Sequence, residues 1–245
     1  MKEILQWTTL AVCAAATLAR IPSALRGTNR SLFFIFLLAT AAGVLSLDVF
    51  YFPIDGALGG VNVASLLLRL IVFAAIYLVA FRVSRAFGAT GADALISGRL
   101  GLCVLGLFSA ALATLFLLMD VSASSPGMAE AGGRSPRNAA LLPYYWATAR
   151  GYPTYVSLAL LPSLVRTLRS GLPPLVRAGA GLMAAGAVAT IAGFLLEFAA
   201  PAFALERVGV NNGAVLFFIS GLVMVWLARV RAKDLGGLGT SSTEG

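Results

Sequence analysis

The chain reads as an all-α, polytopic bundle of seven transmembrane helices, and three observations carry that reading. Hydrophobic residues make up 59% and charged residues 11%, against roughly 25% charged in soluble domains. Seven apolar stretches recur, each near the ~20 residues needed to cross a bilayer core about 30 Å thick. The arginines between them fall almost entirely on alternate loops.

The predicted spans are 4–20, 31–51, 62–82, 99–119, 144–165, 175–199 and 212–229. They occupy most of the 245 residues, so 1–229 reads as one transmembrane domain. Residues 230–245 read as a short, polar, disordered cytoplasmic tail.

Orientation follows from lysine and arginine in short loops rather than from net charge. Loop one holds Arg20, Arg26 and Arg30; loop three holds Arg82, Arg85 and Arg99. Loop five holds Arg166, Arg169 and Arg177, and the tail holds Arg229, Arg231 and Lys233. The other side has Lys2, Arg134, Arg137 and Arg207, diluted by Glu3, Asp55, Asp120, Glu130 and Glu206. The N-terminus is therefore expected outside and the C-terminus in the cytoplasm, in a bacterial-type plasma membrane. A cleaved signal peptide is the rival reading of residues 1–20. It lacks the basic start, because Glu3 offsets Lys2 and the arginines follow the apolar stretch.

The net charge of +8 would point to nucleic acid in a soluble protein. Beside membrane spans the same cations mark topology and meet anionic headgroups, so the expected partner is the lipid bilayer and nucleic acid is not expected. Cys13 and Cys103 lie in different spans without metal-ligand spacing, and both read as small apolar packing residues.

The chain has no histidine, which removes bis-histidine haem, histidine-ligated zinc and His-dependent hydrolytic triads. Lys2 and Lys233 both lie outside the spans, which excludes a retinal Schiff base and Ser-Lys chemistry. No phosphate-binding glycine loop precedes a helix. The expectation is a non-enzymatic protein with no catalytic residue, cofactor or metal.

Candidate binding residues are the ionisable and amide side chains within or at the ends of the spans. Arg69 lies about 10 Å below the outer boundary of span three, and Arg150 sits at similar depth in span five. Asp48 and Glu197 stand near the outer ends of spans two and six, and Asn62 and Asn211 open spans three and seven. Gln6, Asn212, Tyr152 and Tyr155 share this outer level. An arginine at mid-bilayer costs about 2.5–3.5 kcal/mol, so it faces the bundle interior or pairs with an acid. Three readings stay open: arginines snorkelling to headgroups, structural ion pairs, or a small polar or anionic ligand held by Arg69 and Arg150.

Gly181, Ala185, Ala189 and Gly193 recur every fourth residue in span six. Such a small-residue stripe lets helices approach closely, within the bundle or in a homodimer. Pro153 and Pro162 invite kinks in span five, and Tyr144-Tyr145-Trp146 suits the outer interface. The stretch from about 120 to 143 reads as a flexible external connector or a lid.

One internal echo bears on construction. Asp48 precedes Gly60-Val61-Asn62 as Glu197 precedes Gly209-Val210-Asn211, an offset of 149 residues. The shift overlays spans one to three on five to seven, a 3+1+3 parallel repeat like that of SWEET-type sugar transporters. The proline and glycine motifs of that family are not visible, and shared helix-start grammar is the competing explanation.

The stretch Val49-Phe50-Tyr51-Phe52-Pro53-Ile54-Asp55-Gly56-Ala57-Leu58-Gly59-Gly60-Val61-Asn62-Val63-Ala64-Ser65-Leu66-Leu67 resembles a helix junction in actinobacterial seven-helix membrane proteins of unknown function, described at best as transporters. Arg169 to Gly193, with Leu172, Leu175, Gly181 and Gly186, is similar to a second junction of that group. The resemblance covers about half the chain and transfers no residue roles. Two function classes follow: a small-molecule transporter or ligand-binding membrane protein, and a sensor or assembly subunit acting through a membrane or cytoplasmic protein partner.

Overall fold

The computed structural model describes residues 2–27, 30–121, 128, 130–196, 213–214, 216–225 and 227–228. Glu197, Asn211, the junction of spans six and seven and the tail lie outside the described residues. Of those described, 88% are helical and none is in a strand. The elements are α1 (Lys2–Leu25), α2 (Arg30–Leu45), α3 (Asp48–Ala57), α4 (Val63–Ala86), α5 (Thr90–Ser97), α6 (Arg99–Leu118), α7 (Pro136–Leu168) and α8 (Pro174–Leu195), with a 3₁₀ turn at Ala131–Gly133. A further apolar helix covers Leu216–Val225.

Three helices, α4, α6 and α8, are long and apolar enough to cross a membrane, and a fourth span is complete if α2 and α3 are counted together. Their surroundings agree. Leu107, Leu117, Leu195 and Leu216 are all more than 60% exposed, an apolar exterior that water would not tolerate over so large a surface. The remaining expected spans are not uniform apolar rods. α1 carries a shorter apolar stretch, Leu10–Pro22. α7 runs without interruption through Pro153 and Pro162, and its buried face includes Leu142, Tyr145, Ala149, Tyr152, Val156 and Leu160. A helix screened by its neighbours does not need lipid-compatible side chains all round.

The expected continuous span 31–51 is corrected to two helices meeting at 90°. Leu47 is extended (φ −95°, ψ 125°), so the α2 ladder cannot continue. The orphaned carbonyls are taken up locally: Ser46 N–H donates to Gly43, Leu47 N–H to Val44, and Ser46 Oγ to Ala42 at 2.7 Å. α3 then restarts with Asp48 in its first turn, where a carboxylate favours the positive end of the helix dipole. The expected connector 120–143 is shorter than predicted because α7 begins at Pro136. Loop three contains α5.

The chain divides into two compact units. Unit 1 comprises Met1–Val83 and Asp93–Pro153. In it α1 and α2 form an antiparallel hairpin: Leu10 packs on Gly43, Thr17 Oγ1 hydrogen-bonds Thr40 Oγ1 at 3.1 Å, and the Arg20 guanidinium lies 5.5 Å from the Phe36 ring centre. Arg82 Nη1 donates to Ser31 Oγ at 2.8 Å, which brings the arginine-bearing ends of α2 and α4 together. Leu45, Tyr51 and Ala64 form a small core with Ile54, Leu68 and Ile71 around the α2–α3 bend.

Unit 2 comprises Ser84–Ala92 and Thr154–Gly245. α8 packs closely on the Leu216–Val225 helix, and glycines make that approach. A Cβ on Gly179 would stand 2.8 Å from Gly221 O and Val225 Cγ2; one on Gly186 would stand 2.9 Å from Ala214 O. The contact face is thus Gly179, Met183 and Gly186 rather than the Gly181, Ala185, Ala189, Gly193 stripe. Gly181 faces Leu168, Ala185 is exposed, Ala189 is half-buried and Gly193 is buried. Spacing by four identifies small residues on one face, but the partner helix selects which face is used.

This difference is testable by thermal melting in detergent. Gly179→Val is expected to overpack the contact and lower stability by about 1–3 kcal/mol, while Ala185→Val should melt with the wild type. The reverse ranking would restore the sequence-predicted stripe as the packing face.

Candidate functional site

The site is built around a turn that the sequence marks with three glycines and an asparagine. Between α3 and α4, Gly59, Gly60 and Asn62 take φ of 104°, 66° and 59°, a left-handed region that glycine enters freely and asparagine tolerates. Gly60 N–H closes the turn onto Asp55 O at 2.7 Å. The Asp55 carboxylate, fully buried, accepts the N–H of Asn62 at 3.0 Å and of Ala64 at 2.9 Å. Helix starts leave their first N–H groups without intrahelical partners. Asp55 therefore caps α4 from the preceding helix, with charge-assisted bonds stronger than neutral ones.

Asn62 completes the turn. Its Oδ1 accepts from the Tyr51 hydroxyl at 2.9 Å, and both side chains are buried. Asn62, expected as a ligand-binding residue, is thus committed to shaping the start of α4. Asp48 is exposed at the first turn of α3.

Arg69 is half-buried, and the groups around it are hydroxyls. Ser65, Arg69 and Phe73 fall four residues apart on one face of α4. Across from them, α7 presents Tyr145 and Tyr152, seven residues apart on one face. The Tyr145 hydroxyl stands beside Ser65 and the Arg69 guanidinium, and the Tyr152 ring packs 5.1 Å from Phe73 and 6.4 Å from Phe108. Both helices advance in the same direction through these two contacts, so α4 and α7 are parallel neighbours in unit 1. Gly151 packs against Phe108 closely enough that any side chain would collide with the ring, so the aromatic layer closes one side of the polar cluster.

Ser65 and Tyr145 are 0% exposed. Ser65 Oγ, Tyr145 Oη and Arg69 Nε, all buried, make no hydrogen bond of good geometry among the described residues, although the Tyr145 hydroxyl lies near enough to Ser65 and Arg69 to interact with both. A buried polar group left unsatisfied costs about 1–3 kcal/mol, more for a charged one. Three such atoms converge on one place in unit 1. Tyr51 extends the cluster towards the turn, its hydroxyl lying near Ser65.

Arg150 is half-buried but leaves α7 five residues after Tyr145, about 140° further round the axis at 3.6 residues per turn. The contacts described around Arg69 are those of Tyr145 and Ser65, and Arg150 also carries a buried guanidinium nitrogen, Nη1. The connector before α7 is pinned rather than free at its ends. Asn138 Nδ2 donates to Asp120 O at 2.6 Å and to Ala131 O at 3.0 Å, and its Oδ1 accepts from Asp120 N–H at 2.8 Å.

Sequence reasoning missed Asp55, Ser65, Tyr145 and Asn138. A signal existed for Asp55, which opens the glycine-rich run Asp55-Gly56-Ala57-Leu58-Gly59-Gly60 as turn chemistry requires. Tyr145 was concealed by its neighbours: Tyr144 is 63% exposed, whereas Tyr145 points inward. No grouping of three or more cysteine, aspartate or glutamate side chains suited to a metal occurs among the described residues. No protein-family model, curated protein or solved structure matches the chain.

Removing the cap should be costly where removing an exposed acid is not. Asp55→Ala strands two buried N–H groups, and a loss of about 3 kcal/mol is expected. Asp48→Ala should stay within roughly 0.5–1 kcal/mol. Melting curves in the same detergent compare the two, and equal losses would remove Asp55 from its capping role.

Proposed function

We propose that this chain is a seven-span integral membrane protein, N-terminus outside and C-terminus in the cytoplasm, that binds a small anionic solute at Arg69, Tyr145 and Ser65 as the entry site of a transport path. The observation that carries the reading is the convergence of a guanidinium and two fully buried hydroxyls, with Arg69 Nε, Ser65 Oγ and Tyr145 Oη making no hydrogen bond of good geometry. Within a bilayer an arginine is costly unless something compensates it, and a bound oxyanion supplies the acceptors that the protein does not.

The chemistry is binding rather than catalysis. Arg69 provides charge and a planar set of donors suited to oxyanions. Tyr145 and Ser65 each add one hydroxyl donor. The site lies in the first two turns of α4, just beyond the helix start that Asp55 caps. Arg82 stands at the other end of α4, about 26 Å from Ser65 at 1.5 Å per residue. The contact of Arg82 with Ser31, next to the loop-one arginines, supports an orientation with the cations inside and the polar cluster in the outer half.

Ligand binding is read by thermal shift of the detergent-solubilised protein against sulfate, nitrate, phosphate and small carboxylates. A ligand confined to the native state raises apparent stability by about 2.7 kcal/mol at a hundredfold excess over its Kd. Tyr145→Phe removes an unsatisfied buried hydroxyl, so the ligand-free variant should melt at or above the wild-type temperature. Its ligand affinity should fall about tenfold or more, as expected for a lost hydrogen bond to a charged group. Arg69→Gln should abolish the shift. If Tyr145→Phe destabilises the free protein and leaves every ligand response intact, the cluster is structural.

Orientation is checked in intact cells with an impermeant thiol reagent, in a background carrying Cys13→Ala and Cys103→Ala. Arg137→Cys should label from outside and Arg169→Cys should not. Labelling of Arg169→Cys alone would invert the topology.

A further inference from the structure

The arginine-bearing end of unit 1 has a second feature, independent of the outer cluster. Where α1 ends and α2 begins, Ile21, Ala24, Leu25, Phe33 and Phe34 line a groove of 340 Å³ together with Arg30, a volume within the ~300–1,000 Å³ typical of ligand pockets. Its apolar walls are open to the surroundings: Leu25 is 80%, Phe34 48% and Ile21 37% exposed. Arginines flank these residues along the chain at positions 20, 26 and 30. Arg30 is exposed and lines the groove itself. Arg26, also exposed, is held back against α1 by its Nε donating to Pro22 O at 3.2 Å. Arg20, one turn before Ala24, is fixed over Phe36. There is no acid between Arg20 and Asp48, so the hairpin itself offers these cations no local carboxylate.

We infer that this groove is a binding site for an anionic phospholipid, with an acyl chain along Ile21, Ala24, Leu25, Phe33 and Phe34 and the headgroup phosphate on Arg30 and Arg26. An apolar slot with cations at one end matches an amphiphile, whereas a free anion has no use for the slot and an uncharged lipid none for the arginines. The arrangement also suits the leaflet. An α-helical hairpin whose tip carries the arginines sits at headgroup level, where anionic lipids attract basic residues with about 1 kcal/mol for each. Arg20, tethered to its ring, contributes field without direct contact.

The test uses the full chain, delipidated in a mild zwitterionic detergent, with native mass spectrometry as readout. Phosphatidylglycerol and phosphatidylcholine of the same acyl composition are titrated separately, and glycerol phosphate is added as a headgroup without chains. Phosphatidylglycerol should bind as a resolved adduct at least tenfold more tightly than phosphatidylcholine. Each of Arg30→Gln and Arg26→Gln should weaken it about fivefold, in line with the electrostatic value of one arginine near a charged surface. Arg137→Gln, exposed on α7, should not alter it. Ala24→Trp, which fills the slot and leaves the arginines in place, should weaken phosphatidylglycerol to the same degree or more.

Equal binding of the two lipids, or insensitivity to Arg30→Gln, would overturn the assignment. Full competition by glycerol phosphate with no effect of Ala24→Trp would make the site a free-anion site. Disulfide-linked dimers from Ala24→Cys in the Cys13→Ala, Cys103→Ala background, with no lipid adduct, would assign the groove to a second copy of the chain.

Discussion

The two hydrogen bonds from the Asp55 carboxylate to the N–H groups of Asn62 and Ala64 are the contact on which the arrangement of unit 1 depends. In hydrocarbon there is no water to satisfy a free helix end, and each unsatisfied backbone group costs several kcal/mol. The start of α4 is buried at the tight turn, so its first N–H groups need an internal acceptor. Asp55 provides one that is charged, buried and placed by α3, so the broken segment becomes a way of delivering a carboxylate to the next helix. The left-handed turn and the start of α4 share this single capping geometry.

That cap determines where Arg69 is. α4 is fixed in register from Asn62 onward, which puts Ser65 one turn into the helix and Arg69 two turns in. Tyr51, bonded to Asn62, closes the near side of the cluster, and the Phe73–Tyr152–Phe108 layer closes the far side. Between those walls the polar atoms of Ser65, Arg69 and Tyr145 face one another without completing their hydrogen bonds. A fold that satisfies Asn138 with three bonds and Asp55 with at least two does not lack the means to satisfy a serine. Three of the atoms without a well-formed hydrogen bond lie on facing stretches of α4 and α7, and the satisfied side chains Asp55 and Asn138 are in the turns before those helices.

Much of this architecture was legible in residue type and spacing. Apolar length and alternating arginines located the α4, α6 and α8 spans closely, because hydrophobic thickness is a one-dimensional constraint that a sequence window measures well. Arg69 was legible for the same reason: a guanidinium in an apolar run is costly enough to stand out. What was not legible depends on partners. Ser46-Leu47-Asp48 gives little apolar penalty, so a 90° break hid inside a continuous hydrophobic stretch. Tyr145 and Tyr144 are identical in type, and only packing decides which faces inward. Gly179 and Gly181 are equally small, yet only Gly179 meets the backbone of Gly221. Glu197 and Asn211 fall outside the described residues, and their expected roles rest on the sequence.

The first copy of the internal echo lies in a turn whose chemistry the second copy does not repeat. Gly60-Val61-Asn62 is the end of a turn whose working parts are Tyr51 and Asp55, and whose outcome is the polar face of Ser65 and Arg69. At the 149-residue offset that aligns Asn62 with Asn211, those four positions become Ala200, Ala204, Ala214 and Phe218. None can cap, donate or carry charge. Ala214 and Phe218 instead lie against Gly186, in the contact that packs α8 on the helix after it. Whatever the origin of the shared tripeptide, the same register serves a polar cluster in one half of the chain and close helix packing in the other. A transporter built from two equivalent halves would place polar groups on both, so that the site could be reached from either side. The two registers are therefore not chemically equivalent: Ser65 and Arg69 in the first correspond to Ala214 and Phe218 in the second.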